Sequence, residues 1–199
     1  MSNPQDDHEA DLAPTMTAGY KVGQKKTVDE YANLDANDES LNRWKASIGI
    51  AGGSGEPAKV VVQSLFLTSP TLPPGKTVSL DLTNKEAMEA VKKKPIIIKE
   101  GVEYNVGLKF VIENDVISGL RYIHVVKRAG IKVDKLEQMI GSYGPKAEPH
   151  TVTFVTEESP SGILARSGTY DVVSRVYDDD GHTHRDFKWC FKLASEWAS

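Results

Sequence analysis

From Lys59 onward, apolar residues recur at every second position, and this alternation constrains the fold more than any other feature of the chain. A period of two places successive side chains on opposite faces of a β-strand, so each segment has one face to bury. Tyr104, Val106 and Leu108, for example, share one face of their segment. Eight segments have this pattern and predict strands: KVVVQSLFLT, TVSLDL, KPIIIKE, EYNVGLKFVI, LRYIHVVKR, HTVTFV, TYDVVSRVY and FKWCFKL.

Turn-forming sequences separate these segments, among them PPGK, ENDV, KRAG, SYGP, ESPSG and DDDG. One stretch, NKEAMEAVKK at about 84–93, has helical character instead and is predicted to be an insert between strands. The conspicuous loop GSYGPKAEP at 141–149 is predicted to be a rigid connection. Eight short, half-buried strands within residues 59–199 predict an all-β domain, an antiparallel β-sandwich.

The first 58 residues have a different character. Residues 1–26 are polar and without periodicity, which predicts a tail that is disordered when free. Residues 27–50 are predicted to form a helical hairpin, in which TVDE is a capping box and Asp35 caps a second helix near residues 37–48. AGGSGEP lies within residues 51–58 and predicts a flexible linker. The two helices are too short to be stable alone, so a partner surface would have to stabilise them.

Composition and charge exclude several classes of protein. Residues 1–58 carry ten acidic against five basic side chains, which argues against nucleic acid as their partner and fits either simple solvation or a basic protein. The apolar runs are far too short to span a membrane, and the N-terminus lacks the features of a signal peptide. A single cysteine, Cys190, fits a reducing compartment. We therefore expect a cytoplasmic protein without stable membrane insertion.

The strongest candidate for a metal site in the sequence is DDDGHTH at 178–184. Its carboxylates and its HxH spacing could hold a metal ion, but Asp and Gly are also what a hairpin turn requires, and the turn is the favoured interpretation. Cys190 has no evident base beside it, and no GxSxG, HExxH or other catalytic signature occurs. The sequence therefore predicts a protein that is not an enzyme and that needs no cofactor and no metal.

Several of these segments resemble one family. KEGVEY, SGLRYI, GSYGP, LARSGTY and DDD, together with DESL in the N-terminal arm, are similar to the Rho GDP-dissociation inhibitors, from about Tyr20 to the end of the chain. The resemblance implies an immunoglobulin-like β-sandwich with a partly helical arm. It also implies a monomer that binds a GDP-bound, geranylgeranylated Rho-family GTPase in a 1:1 complex. The arm would clamp the switch regions and slow both GDP release and GTP hydrolysis, while the sandwich shelters the lipid and extracts the GTPase from membranes.

The resemblance also implies roles for individual residues. The arm residues that would contact the GTPase switch regions are Tyr20, Tyr31, Asp38, Ser40, Leu41 and Trp44. The residues that would line the isoprenoid pocket are Leu67, Ile96, Tyr104, Val116, Val172, Phe187 and Trp189. An acidic rim that attracts the basic segment before the prenylated cysteine would comprise Asp134, Glu157, Glu158, Asp178, Asp179 and Asp180.

At two pocket positions the chain departs from the better-known animal members, with Ile96 where Phe is usual and Phe187 where Trp is usual. Both replacements keep apolar character and change the volume of the side chain. Two alternatives stay open at this point. One is a prenyl-binding, solubilising chaperone for other lipidated small GTPases, in which the arm is irrelevant. The other is a metal-dependent enzyme built around DDDGHTH.

Overall fold

The computed structural model describes residues 57–198 together with Leu12, residues 37–40 and residues 42–43. Residues 57–198 contain nine β-strands and two helices. The predicted β-sandwich is confirmed. The elements, in chain order, are β1 Lys59–Thr68, β2 Val78–Asp81, α1 Lys85–Lys93, β3 Ile96–Lys99, β4 Glu103–Glu113, β5 Ile117–Arg128, β6 Ile131–Tyr143, β7 His150–Glu158, α2 Ile163–Arg166, β8 Thr169–Tyr177 and β9 Thr183–Ala194.

The strands form two sheets. The four-stranded sheet has the order β2-β1-β4-β7, and the five-stranded sheet has the order β3-β9-β8-β5-β6. All neighbouring strands are antiparallel except β3 and β9, which pair in parallel with Ile96 opposite Phe191. The predicted antiparallel sandwich thus has one parallel pair, at this edge. The chain runs from β3 through β4 to β8 before it reaches β9, and this long connection is the crossover that a parallel pair requires.

The predicted helix is confirmed as α1. Asn84 caps its first turn, because the Asn84 side chain accepts hydrogen bonds from the backbone N–H groups of Glu86 and Ala87. Lys92 and Lys93 lie in the last turn, where positive charge is favourable. Val91 is the buried residue of the helix, and its carbonyl accepts a hydrogen bond from the thiol of Cys190 on β9 at 3.0 Å.

Strand β6 was not predicted. In its sequence, IKVDKLEQMIGSY, each face of the strand carries charged as well as apolar residues. Every residue of the strand is half-buried or exposed. This composition is typical of an edge strand, which carries charged side chains that discourage pairing with other molecules. The end of β6 includes residues 141–143, so the predicted connecting loop is shorter and begins at Gly144. The short helix α2 was also not predicted.

The main core lies between the two sheets, where the inward faces of the strands meet. Leu65 and Leu108 of the four-stranded sheet and Leu120 of the five-stranded sheet are fully buried. Across the same interface, the rings of Tyr122 and Phe154 stack with their centroids 4.4 Å apart. No strand ladder joins the two sheets, so they are held together by side-chain packing and by hydrogen bonds of side chains such as Gln138, which accepts from the Val155 backbone N–H at 2.9 Å.

A second, smaller cluster lies on the outer face of the five-stranded sheet. Ile123, Val125, Val173 and Tyr177 form it together with Leu12, which is 2% exposed. Leu12 is the one described residue of the predicted disordered tail, residues 1–26, and it is buried against the sheet. No helix among the described residues is long and apolar enough to cross a membrane.

Candidate functional site: a cleft between the sheets

A cleft of about 550 Å³ opens between the sheets at one end of the sandwich. Its size lies within the range of roughly 300–1,000 Å³ that is usual for small-molecule sites. Both sheets and helix α2 contribute to its walls. The apolar and aromatic part of the lining comprises Tyr104, Val126, Ala165, Tyr170 and Phe191.

The mouth of the cleft is acidic. Asp134 from β6 and Glu157 and Glu158 from β7 line it, so the two sheets contribute carboxylates from opposite sides. The Tyr104 hydroxyl donates to Glu157 Oε2 at 2.7 Å, and burial raises the pKa of the Glu157 carboxyl above its usual value. These three residues belong to the predicted acidic rim, and the structure brings them together.

A chain of buried polar groups crosses the sandwich beneath this mouth. The Trp189 indole N–H donates to Ser174 Oγ at 3.1 Å, and the Tyr122 hydroxyl lies 3.0 Å from Ser174 Oγ and 3.2 Å from His124 Nδ1. His124 Nε2 then faces Glu157 Oε1 of the opposite sheet at 3.6 Å. Burial lowers the pKa of His124 to about 4, so its imidazole is neutral at pH 7.

The register of the strands orders most of the predicted pocket residues in rows that lead inward from the cleft. In the first row, Ile96 and Tyr170 flank Phe191 on β9. Val172 and Trp189 follow in the second row, where Val172 also pairs with the cleft residue Val126.

The next row contains Phe187, which pairs with Ser174. On the facing sheet, Leu67 pairs with Val106, the next inward-facing residue after Tyr104. Of the predicted pocket residues, Tyr104 lines the open cleft, while Leu67, Val172, Phe187 and Trp189 are buried in the closed core below it.

One predicted pocket residue lies elsewhere. Val116 is half-buried in the turn between β4 and β5, whereas the cleft is near the other end of β5 at Val126. Ten residues of extended strand correspond to about 33 Å. Val116 therefore does not line this cleft, and strand direction is the reason, since sequence position alone does not say at which end of a sheet a turn lies.

The predicted acidic rim is likewise divided. Asp178, Asp179 and Asp180 follow β8 at the end remote from the cleft, where Asp179 Oδ1 accepts from Arg121 Nε at 2.9 Å. Asp178 is buried in a turn, because its Oδ1 accepts from the His182 backbone N–H at 2.9 Å and Gly181 has a positive φ of 81°. The interpretation of DDDG as a hairpin turn is confirmed, and a single rim of six residues is not.

The N-terminal arm is described only at a few positions. Asp38 and Ser40 are exposed, and Asp38 Oδ1 accepts from the Ser40 backbone N–H at 2.8 Å. The Asp38 carbonyl accepts from Asn42 N at 2.9 Å, so Asp38 caps a helical turn that begins at Glu39. The helix therefore starts later than the predicted cap at Asp35. Four predicted arm residues lie outside the described part of the chain: Tyr20, Tyr31, Leu41 and Trp44.

Sequence comparison adds the family. The profile described as "RHO protein GDP dissociation inhibitor" matches residues 3–196. The chain is 42% identical to the Rho GDP-dissociation inhibitor of Schizosaccharomyces pombe over 180 residues, which cover 88% of this chain and 86% of that protein. It is 42% identical to the Saccharomyces cerevisiae protein of the same name, with 89% and 91% of the two chains covered. It is 36% identical to human Rho GDP-dissociation inhibitor 1, with 98% and 91% covered.

The chain belongs to the Rho GDP-dissociation inhibitor family. For this member of the family, sequence reasoning missed several residues of the cleft, namely Val126, Ala165, Tyr170 and Phe191, as well as His124 beneath it. The available signal was the alternation itself. Tyr170 and Phe191 share faces with the predicted residues Val172 and Trp189, so each was two positions from a residue already chosen.

A larger surface groove of about 690 Å³ lies along residues 69–77 and does not open between the sheets. Its lining is largely Ser, Thr, Lys and Pro, together with Phe66 and Leu67. The groove has one aromatic wall, Phe66, whereas the cleft has three, Tyr104, Tyr170 and Phe191. In this Rho GDP-dissociation inhibitor family member, the cleft is thus the better candidate for a lipid site.

Proposed function

We propose that this chain slows GDP release from a geranylgeranylated Rho-family GTPase and shelters the lipid of that GTPase in the cleft between its sheets. Family membership supports the inhibition of GDP release. The apolar cleft with its acidic mouth is the observation that carries the lipid assignment. We further propose that the chain acts as a monomer in a 1:1 complex, as a cytosolic binding protein and not as a catalyst.

Hydrophobic burial supplies the driving force for the lipid. A geranylgeranyl group has about twenty carbons, and each buried CH₂ contributes about 0.8 kcal/mol. Val126, Tyr170 and Phe191 offer apolar contact at the entrance, and the rows that contain Val172 and Trp189 continue it inward. Because no strand ladder joins the two sheets, an inserted lipid can part them without breaking strand pairing.

The acidic mouth suits a basic segment next to the lipid. Asp134, Glu157 and Glu158 surround the entrance, while Arg128 is directed to the Leu164 carbonyl and to Ser167 Oγ. Such carboxylates attract positive charge over a distance and mainly raise the association rate. Asp178, Asp179 and Asp180 lie at the far end, so we assign them no part in this steering.

The arm would act on the GTPase itself. Asp38 and Ser40 are exposed at the start of a helical turn, where a carboxylate and a hydroxyl can bind donors of a partner surface. Asp38→Ala removes both the helix cap and the negative charge, whereas Asp38→Asn removes only the charge, since Asn can still cap the turn. We expect both variants to release GDP faster from the bound GTPase than the unsubstituted chain does. If neither changes the rate, the arm assignment is wrong and the prenyl-binding chaperone is favoured.

The lipid assignment is tested with two substitutions on helix α2. Ala165 is buried and lines the cleft, whereas its neighbour Ile163 is 79% exposed. We expect Ala165→Phe to fill the cleft and weaken binding of the geranylgeranylated GTPase at least about tenfold, or 1.4 kcal/mol, and Ile163→Phe to leave it unchanged. Titration with the prenylated and the unprenylated GTPase measures both. Equal binding of the two GTPase forms by the unsubstituted chain would contradict the proposal.

The charge assignment has its own matched pair. Glu158→Gln and Asp180→Asn each remove one exposed carboxylate, at the mouth and at the remote turn respectively. Stopped-flow association at low salt should be slower for Glu158→Gln and unchanged for Asp180→Asn. The difference should shrink as salt is added, because screening removes the long-range attraction. A similar loss for both variants would refute steering by the mouth.

A further inference from the structure

Two buried polar atoms at the base of the cleft have no hydrogen-bond partner among the described residues. They are His124 Nε2 and Glu157 Oε1, which lie 3.6 Å apart on opposite sheets. His124 is 1% exposed. A buried polar group without a partner is unfavourable, because it has lost its hydrogen bonds to water and gained none in the protein. A pair of them facing each other therefore indicates that something binds between them.

The second polar atom of each side chain has a partner, and these contacts orient His124 Nε2 and Glu157 Oε1 toward each other. The Tyr122 oxygen lies 3.2 Å from His124 Nδ1 and can accept its proton, and the Tyr104 hydroxyl donates to Glu157 Oε2. A histidine that binds a metal through one nitrogen normally donates from the other nitrogen to an oxygen, and a ligating carboxylate is itself hydrogen-bonded. The neighbours of His124 and Glu157 thus match the surroundings of metal ligands.

A third ligand comes from Asp134 on β6. One ligand atom from each of His124, Asp134 and Glu157 lies within 4.8 Å of the others. Asp134 is exposed at the mouth of the cleft, which gives an ion a path from solvent. One imidazole and two carboxylates with an open fourth position form a set that Zn²⁺ accepts, and two negative charges balance its charge.

We propose that His124, Asp134 and Glu157 form a binding site for a divalent transition-metal ion of the zinc class, at the base of the cleft and bridging the two sheets. Two nearby positive side chains have other partners. Arg128 is directed to Ser167 Oγ, and Lys135 Nζ lies 3.6 Å from Glu137 Oε2. The ion would satisfy both orphaned atoms and link the sheets at the point where the cleft opens.

A second acidic group serves as an internal control. Asp178, Asp180 and His182 also place ligand atoms within 4.8 Å of one another. Both oxygens of the Asp178 carboxylate already have partners in the turn, however, because Oδ1 accepts from His182 N at 2.9 Å and Oδ2 lies 3.0 Å from His184 Nε2. The hydrogen bonds of the turn thus account for this group without an ion, and we assign no metal to it.

The test is calorimetric titration of the metal-stripped full chain with ZnCl₂, together with the visible absorption of Co²⁺ as a report of ligand geometry. We expect one ion per chain, with affinity at least about tenfold lower in His124→Gln and in Asp134→Asn and unchanged in His182→Gln. Asp134 is exposed, so Asp134→Asn decides the question even if His124→Gln does not fold. Absence of binding, full affinity in Asp134→Asn, or loss in His182→Gln would overturn the proposal.

Discussion

Replacing Ser174 by alanine tests whether the polar chain beneath the cleft positions Trp189. Ser174 is completely buried on β8. Its hydroxyl oxygen accepts from the Trp189 indole N–H at 3.1 Å and lies 3.0 Å from the Tyr122 hydroxyl. Trp189 is a predicted wall of the lipid pocket, so its orientation matters for the proposed function as well as for stability.

The expected cost follows from these contacts. Without Ser174 Oγ, the Trp189 N–H loses the hydrogen bond that it makes in the core, whereas the Tyr122 hydroxyl retains His124 Nδ1 at 3.2 Å. One buried donor without a partner costs about 1–3 kcal/mol, and the removed atom leaves only a small void. We therefore expect Ser174→Ala to lower the free energy of unfolding by about 2 kcal/mol.

Urea unfolding followed by circular dichroism measures this change. Ser118→Ala is the matched control, because Ser118 is exposed on neighbouring β5, and it should stay within about 0.5 kcal/mol of the unsubstituted chain. A double-mutant cycle with Trp189→Phe isolates the hydrogen bond, since Phe has no N–H to satisfy. We expect Ser174→Ala to cost about 1 kcal/mol less in that background. An equal cost in both backgrounds would refute the hydrogen-bond explanation.

Three other predictions concern parts of the fold away from the cleft. Burial raises the pKa of the Cys190 thiol, which donates to the Val91 carbonyl, so at pH 7 the thiol should be alkylated only as fast as the chain unfolds. Rapid labelling of the native chain would contradict this. Leu12→Ala should lower the free energy of unfolding by about 2 kcal/mol in a urea titration, because Leu12 is buried, and an unchanged midpoint would exclude a stable contact. Gly119→Ala should also destabilise the fold by about 2 kcal/mol in thermal unfolding, because Gly119 has φ 61° and a Cβ there would meet the Asp179 carboxylate. Unaltered stability would be inconsistent with this geometry.

The sequence by itself determined the two-sheet architecture, the helix between β2 and β3, and the family. Alternation predicts strands because one face of each must be buried, and the capping Asn84 and DDDG act through their nearest neighbours in the chain. These are local properties, and local properties can be inferred from order along the chain. The same reasoning missed β6, whose edge position leaves it half-exposed and removes the clear alternation.

The tertiary structure decided which residues share a site. Register across β5, β8 and β9 aligns Val126, Val172 and Trp189 beneath the cleft, whereas strand direction carries Val116 and Asp178 to the opposite end. The meeting of His124 with Glu157 depends on the packing of one sheet against the other. Pairing and packing join residues that are distant in sequence, and a pattern with a period of two contains no information about which strands become neighbours.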